Sequence, residues 1–257
     1  LNDQEIIQRA ERIAAGWPAR PATADRVRHR CPILAIAPDG PAALRLTVAI
    51  DAPSQRASLR IPGQYATIQP PGIEPRFSVI AQAPDPDAPS WDLLITRDST
   101  LGRTLADMRV GDTLTVSDAE GPGFDVDRIA GGPLLIFATG TGIASARPVI
   151  QHLERHDTSM LKKTIIYYGE RSWDMFAYSD VIAQWIGAGC AVWRVSEVGE
   201  DGQPTPLRYL QHALVRDASA DLSQTTALLA GAQPMLRAVS AELMGRGMPP
   251  ERILTNF

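Results

Sequence analysis

The run Pro133-Leu134-Leu135-Ile136-Phe137-Ala138 constrains this chain most, because it carries no charge and passes straight into Thr139-Gly140-Thr141-Gly142-Ile143-Ala144. An alternating strand can leave one side in water, whereas a continuously apolar one must be covered on both faces, as in a parallel sheet flanked by helices. The glycines that follow permit a tight turn, and the free N–H groups at a helix start can then face an anion. On spacing alone, Gly-x-Gly lacks the third glycine of the dinucleotide fingerprint, and a turn that needs small residues only for packing accounts for it equally well. Further apolar strands are expected at residues 164–168, 190–195 and 226–230, with helices near 144–155, 174–187 and 235–245. Strand and helix alternating in this way predict a doubly wound α/β domain with a five-stranded parallel sheet over residues 130–257.

The preceding region has a different texture. Short alternating runs at 44–50, 64–68, 91–96 and 114–116 are broken by Pro38-Asp39-Gly40, Pro62-Gly63, Pro70-Pro71-Gly72 and Pro84-Asp85-Pro86. Short strands punctuated by proline and glycine predict a small antiparallel barrel of six strands over residues 25–129, with one helix at 102–108. Ahead of it, Ile6, Ile7, Ala10 and Ile13 recur at helical spacing until Gly16-Trp17-Pro18, so residues 1–24 are expected to form an appended helix.

Composition excludes several functions. A formal net charge of -4 gives no electrostatic case for nucleic acid or an anionic membrane surface. Two cysteines, Cys31 and Cys190, cannot supply the four thiolates of an iron–sulfur cluster, and no metal site is expected. They point to a reducing compartment: a cytoplasm is the expectation, a plastid the alternative. No apolar run approaches the ~20 residues of a membrane span. His29, His152, His156 and His212 share no spacing and read as surface or packing residues.

Two further strand ends accompany the first glycine turn: Ile165-Ile166-Tyr167-Tyr168-Gly169-Glu170-Arg171, and Leu228-Leu229-Ala230-Gly231-Ala232-Gln233-Pro234-Met235. In this order the motifs resemble the ferredoxin–NADP reductase family, over about residue 25 to the end. Gly140 to Ala144 matches the family's nucleotide loop, with Ser145 where a proline usually follows. Tyr168-Gly169-Glu170-Arg171 looks like its Tyr-Gly-x-Arg strand end. Gly231 and Met235 match its Cys-Gly-x-x-x-Met motif, with Ala230 in place of the cysteine. Gly121-Pro122-Gly123-Phe124 is similar to the stretch between barrel and nucleotide domain, and the Asn256-Phe257 ending to a plant-type reductase-like branch.

The resemblance implies a barrel that binds FAD, an α/β domain that binds NADP or NAD, and electrons passed to an acceptor protein or small molecule. It implies nucleotide contacts from Thr139, Gly140, Thr141, Gly142, Arg171, Gly231 and Met235. On the flavin side the family carries Arg-x-Tyr-Ser. Counting back from Pro84 puts Arg76 on the arginine, Ser78 on the tyrosine and Val79 on the serine; a shifted register puts Phe77 on the tyrosine and Ser78 on the serine. A one-residue slip reverses the faces of a strand, so the two exclude each other, and unbroken spacing favours the first. Arg76 suits a diphosphate through two parallel hydrogen bonds, or is an arginine solvated at a strand end. Ser99-Thr100-Leu101-Gly102 stands where the family has Gly-x-x-Ser, and its hydroxyls are either a phosphate cradle or helix caps. Ser78 and the terminal Phe257 are the candidate catalytic residues; Phe257 either covers the flavin face or plugs the domain interface. Val79, Gly102 and Ala230 depart from the family at sites of chemistry. Two alternatives follow: an electron-transfer subunit of a larger assembly, or a non-catalytic scaffold.

Overall fold

The computed structural model describes residues 27–129, 132–206, 208–216 and 222–256. The helix expected within residues 1–24 and the terminal Phe257 lie outside the described residues.

Six strands build the first sheet: β1 (Arg28–Asp39), β2 (Ala43–Ala49), β3 (Tyr65–Gln69), β4 (Arg76–Val79), β5 (Ser90–Thr96) and β6 (Thr113–Ser117), in the order β4-β3-β6-β1-β2-β5 with antiparallel neighbours. A bridge between Ile80 and Leu93 joins the two outer strands and closes the sheet on itself. β1 serves two partners, β6 through Arg28–Pro32 and β2 from Ile33 onward, and it changes partner at an irregularity between Ile33 and Ala35. Alternation along the strands fills the barrel with Ile33, Leu46, Val48, Ile68, Ile80, Trp91, Leu93 and Val116. A short helix, α1 (Pro53–Ser58), lies between β2 and β3, and α2 (Thr100–Ala106) follows β5.

The second sheet has five parallel strands: β7 (Leu134–Thr139), β8 (Thr164–Ser172), β9 (Ala191–Val198), β10 (Thr226–Ala230) and β11 (Ile253–Thr255), ordered β11-β10-β7-β8-β9. β7 shows why an uninterrupted apolar run was needed. Leu134, Ile136 and Ala138 enter one core, while Leu135 and Phe137 enter another on the opposite face. Helices α3 (Ala146–His156), α4 (Ser179–Ala188), α5 (Leu210–Arg216) and α6 (Gln233–Gly245) cover the two faces. In α3, Ala146, Val149, Ile150 and Leu153 are spaced to bury one stripe against the sheet.

Neither α1 nor α5 was among the expected helices, and three further elements differ from expectation. The glycine turn runs first through a 3-10 stretch, Gly140–Ser145, before α3 begins. The helix expected from 174 starts only at Ser179, because Tyr178 adopts a left-handed backbone, φ 60, and directs its N–H to Asp39 on the barrel at 3.0 Å. α2 begins ahead of Gly102, because the Ser99 hydroxyl accepts from the Gly102 N–H and caps the helix, a bond of about 1 kcal/mol.

The two sheets share a core. Ala43, Ala81 and Leu94 of the barrel region pack in the same cluster as Ile136, Ile143 and Tyr178. Polar ties reinforce it: Arg147 donates to the Ala81 carbonyl at 2.9 Å and to Asp92 at 2.8 Å, and Arg45 pairs with both Asp39 and Asp180. Among the described residues no helix is long and apolar enough to cross a membrane.

Candidate active site

β7 and β10 are neighbours, yet the chain leaves β7 toward β8 on the other side. At such a switch point the loops after adjacent strands diverge and open a crevice at the carboxyl end of the sheet. Here the crevice faces the barrel wall at β4. The resulting cleft measures about 1580 Å³, larger than the roughly 300–1,000 Å³ of a site for one small ligand.

Its parallel-sheet wall is mostly backbone. Gly142 sits so close to β10 that a Cβ would stand 2.6 Å from the Ala230 carbonyl oxygen. Gly231 has φ +136, where a side chain is strained, and a Cβ there would lie 2.2 Å from the Thr139 hydroxyl. That hydroxyl accepts from the Ala232 N–H at 3.0 Å, so the ends of β7 and β10 hold one another. Ala230 is buried at the same edge and brings no thiol to the cleft.

The barrel wall is made of side chains. Pairing with β3 sets Val79 opposite Tyr65 and Ser78 opposite Ala66, a residue of the barrel core. Ser78 is therefore turned with Ala66 and is only 8% exposed, while Phe77 and Val79 share the face of Tyr65. The Phe77 and Tyr65 rings meet edge to face, with centroids 5.3 Å apart and planes at 88°. The cleft face of β4 thus carries a ring at Phe77, one position before the residue that unbroken spacing put in the tyrosine's place. Arg76 lies exposed at the mouth of the cleft.

The structure brings Arg76, Phe77, Ser78, Val79, Ser99, Thr100, Leu101, Thr139, Gly140, Thr141, Gly142, Arg171, Gly231 and Met235 to this one cleft. Gly102 does not line it and serves from behind. A Cβ there would come within 2.2 Å of the Thr96 carbonyl oxygen and 2.5 Å of that of Arg97, so the family's serine has no room. The Ser99 hydroxyl is already engaged, accepting from Gly102 and donating to the Thr96 carbonyl at 2.7 Å.

Several residues of the site were not among the contacts expected from the sequence. Asn256, 3% exposed, lines the cleft and donates to the Gly63 carbonyl at 3.1 Å and to the Ser145 hydroxyl at 3.4 Å, joining the barrel to the glycine turn. The Thr96 and Thr141 hydroxyls bridge the same two regions at 3.0 Å. At the end of β8, Tyr168 donates to Glu170 at 3.0 Å, and burial holds the Glu170 carboxyl above the usual carboxylate range. Cys31 and Cys190 are buried and unpaired, and burial pushes each thiol up to about 11.

Residues 136–241 match the oxidoreductase NAD-binding domain family. A ferredoxin NADP+ reductase from Neisseria gonorrhoeae with bound FAD and NADP superposes with a TM-score of 0.73 at 16% identity, covering 90% of this chain and 98% of that one. The chain and this reductase share a fold. It is the two-sheet fold of the FAD- and NAD(P)-binding oxidoreductases. The ferredoxin reductase in carbazole 1,9a-dioxygenase superposes with a TM-score of 0.74 at 20% identity, over 93% of this chain and 70% of that one. In sequence the chain is 26% identical over 208 residues to sulfhydrogenase 2 subunit gamma of Pyrococcus furiosus, and 25% identical over 210 residues to fruit protein pKIWI502 of Actinidia deliciosa. The matches take in 75% and 79% of this chain and about two thirds of each relative, 69% and 65%.

Proposed function

We propose that this chain is a flavin-dependent oxidoreductase, with an FAD-binding domain over residues 25–129 and an NAD(P)-binding domain over 130–257. The observation that carries the reading is a single cleft shared by two glycine strand ends and the ring-bearing wall of β4, large enough for two cofactors side by side. A flavin bound there would supply the redox chemistry, taking hydride from NAD(P)H and releasing electrons to an acceptor.

The chain's own residues bind, orient and exclude water. Phe77 and Tyr65 offer aromatic surface to a flat ring system, and Arg76 offers a bidentate donor to a diphosphate. The turns at Gly140–Gly142 and Gly231 let a second diphosphate approach the backbone, and Arg171 adds positive charge at the outer end of the cleft. Ala230, Ala43 and Leu94 make the inner wall small and apolar, which keeps solvent from the meeting point. Gly102 supports retention of flavin, since the departure from serine follows from the close approach of α2 to Thr96 and Arg97. Unpaired buried thiols fit a reducing compartment such as the cytoplasm.

A partner protein as acceptor is favoured by the relative that is a subunit of a larger enzyme, the gamma subunit of a sulfhydrogenase. Anaerobic titration of the FAD-reconstituted protein tests the function. Bleaching of the flavin bands by NADH or NADPH is expected; a protein that takes up no FAD, or whose FAD neither nucleotide reduces, would refute it.

A further inference from the structure

Glu170 is a partly buried carboxyl on the cleft wall to which the hydride path assigns nothing. Its orientation is set by a directed chain of hydrogen bonds. The Ala177 N–H donates to the Tyr168 hydroxyl at 3.2 Å, which commits the phenolic hydrogen to Glu170 Oε1 at 3.0 Å. A carboxylate accepts about four hydrogen bonds, so the phenol and the Arg171 backbone N–H leave about half of its capacity for the cleft. Among the described residues no ion pair neutralises it. Burial keeps its carboxyl above the ordinary range, the mark of a group with little competing water.

Position says what it faces. Gly169 pairs with Thr139 at the end of β7, so Glu170 stands level with the start of the glycine turn, on the next parallel strand. In dinucleotide-binding sheets a carboxylate downstream of the glycine turn accepts from the hydroxyls of the adenosine ribose and opposes a 2′-phosphate. Arg171 and Arg208 line the same cleft and would favour that phosphate, but both are exposed. Exposed guanidinium charges are screened by water and salt; a carboxyl held partly out of water is screened less. Glu197, at the end of β9, adds a second negative charge to the same end of the cleft.

We infer that Glu170 reads the adenosine ribose and makes this chain prefer NADH to NADPH. The inference rests on the reductase reading above. Steady-state and anaerobic flavin reduction with each nucleotide tests it in the FAD-loaded full chain. The parent should show a lower KM for NADH. Glu170→Gln should raise the NADH KM roughly tenfold, as for one charge-assisted hydrogen bond, and lower the NADPH KM. Tyr168→Phe, which frees the carboxyl from its phenol, should move the ratio of the two KM values the same way by about twofold to fivefold. A purely structural role would move both KM values together, and that result, or an unchanged ratio in Glu170→Gln, overturns the inference while leaving the reductase reading intact. Failure of both nucleotides to bleach the parent's flavin overturns both.

Discussion

The two walls of the cleft are built from different materials. On the parallel-sheet side the site is backbone: Gly142 and Gly231 leave no room for a Cβ, and the ends of β7 and β10 interlock through Thr139. On the barrel side it is side chains, with Phe77 and Tyr65 presenting rings and Arg76 a guanidinium from a four-residue strand. A backbone site tolerates few residue types at its turns and so leaves a mark in the sequence. A side-chain site can be rebuilt with other residues on the same face, and its mark drifts.

The contrast is strongest at Gly231. Gly231→Val forces a branched side chain into φ +136 and against Thr139, and the displaced strand end should slow nicotinamide-driven flavin reduction by roughly a hundredfold; rapid anaerobic mixing measures it, and near-normal rates would show that the backbone wall is not the nucleotide site. Gly102→Ser restores the family's residue yet should harm the protein. Its Cβ would stand 2.2 Å from the Thr96 carbonyl oxygen, an overpacking expected to cost about 1–3 kcal/mol and seen as a lower Tm and flavin content. If the variant instead held flavin better, the family's side-chain cradle would be the correct description. Phe77→Ala removes the edge-to-face partner of Tyr65; the FAD dissociation constant should rise about tenfold, with Phe77→Tyr near neutral, both read by flavin fluorescence. Ser78→Ala should change it less, and the reverse order would restore the register that sets Ser78 against the ring.

The smallest effect concerns the joint between the walls. Arg45 holds the Asp180 carboxyl down to about 2 from 3.8. A group depressed on folding stabilises above its unfolded value and loses that contribution as pH falls through its folded value, so the window runs from about pH 4 to 2. Asp180 is 60% exposed, so Asp180→Asn should cost no more than about 1 kcal/mol near neutral pH, and the difference in thermal unfolding should vanish by about pH 2.

The same division of material decided what could be read in advance. The limits of β10 were legible, residues 226–230, because every residue in it is buried and the pattern is unbroken. The glycine turn after β7 was legible for the same reason. β1 was not placed, since Pro32 and Pro38 interrupt it and its pairing changes from β6 to β2 midway. The start of α4 was misplaced because a contact distant in sequence, Tyr178 with Asp39, decides it. Asn256 gave no local sign of bonding Gly63, since nothing in a tetrapeptide near the chain end encodes a partner so far upstream. Arg76 through Val79 were read as one group and do line the cleft, but the face each presents depended on pairing with β3.

The shared core beneath the cleft sets a mechanical condition on the protein. With Ala43, Ala81 and Leu94 sealed against Ile136 and Ile143, the spacing of the two walls is a dimension of the interior, not the set-point of a hinge. Such a body should melt in one step and resist being cut into working halves, and any two molecules held in it would meet at a separation that solvent fluctuations barely alter.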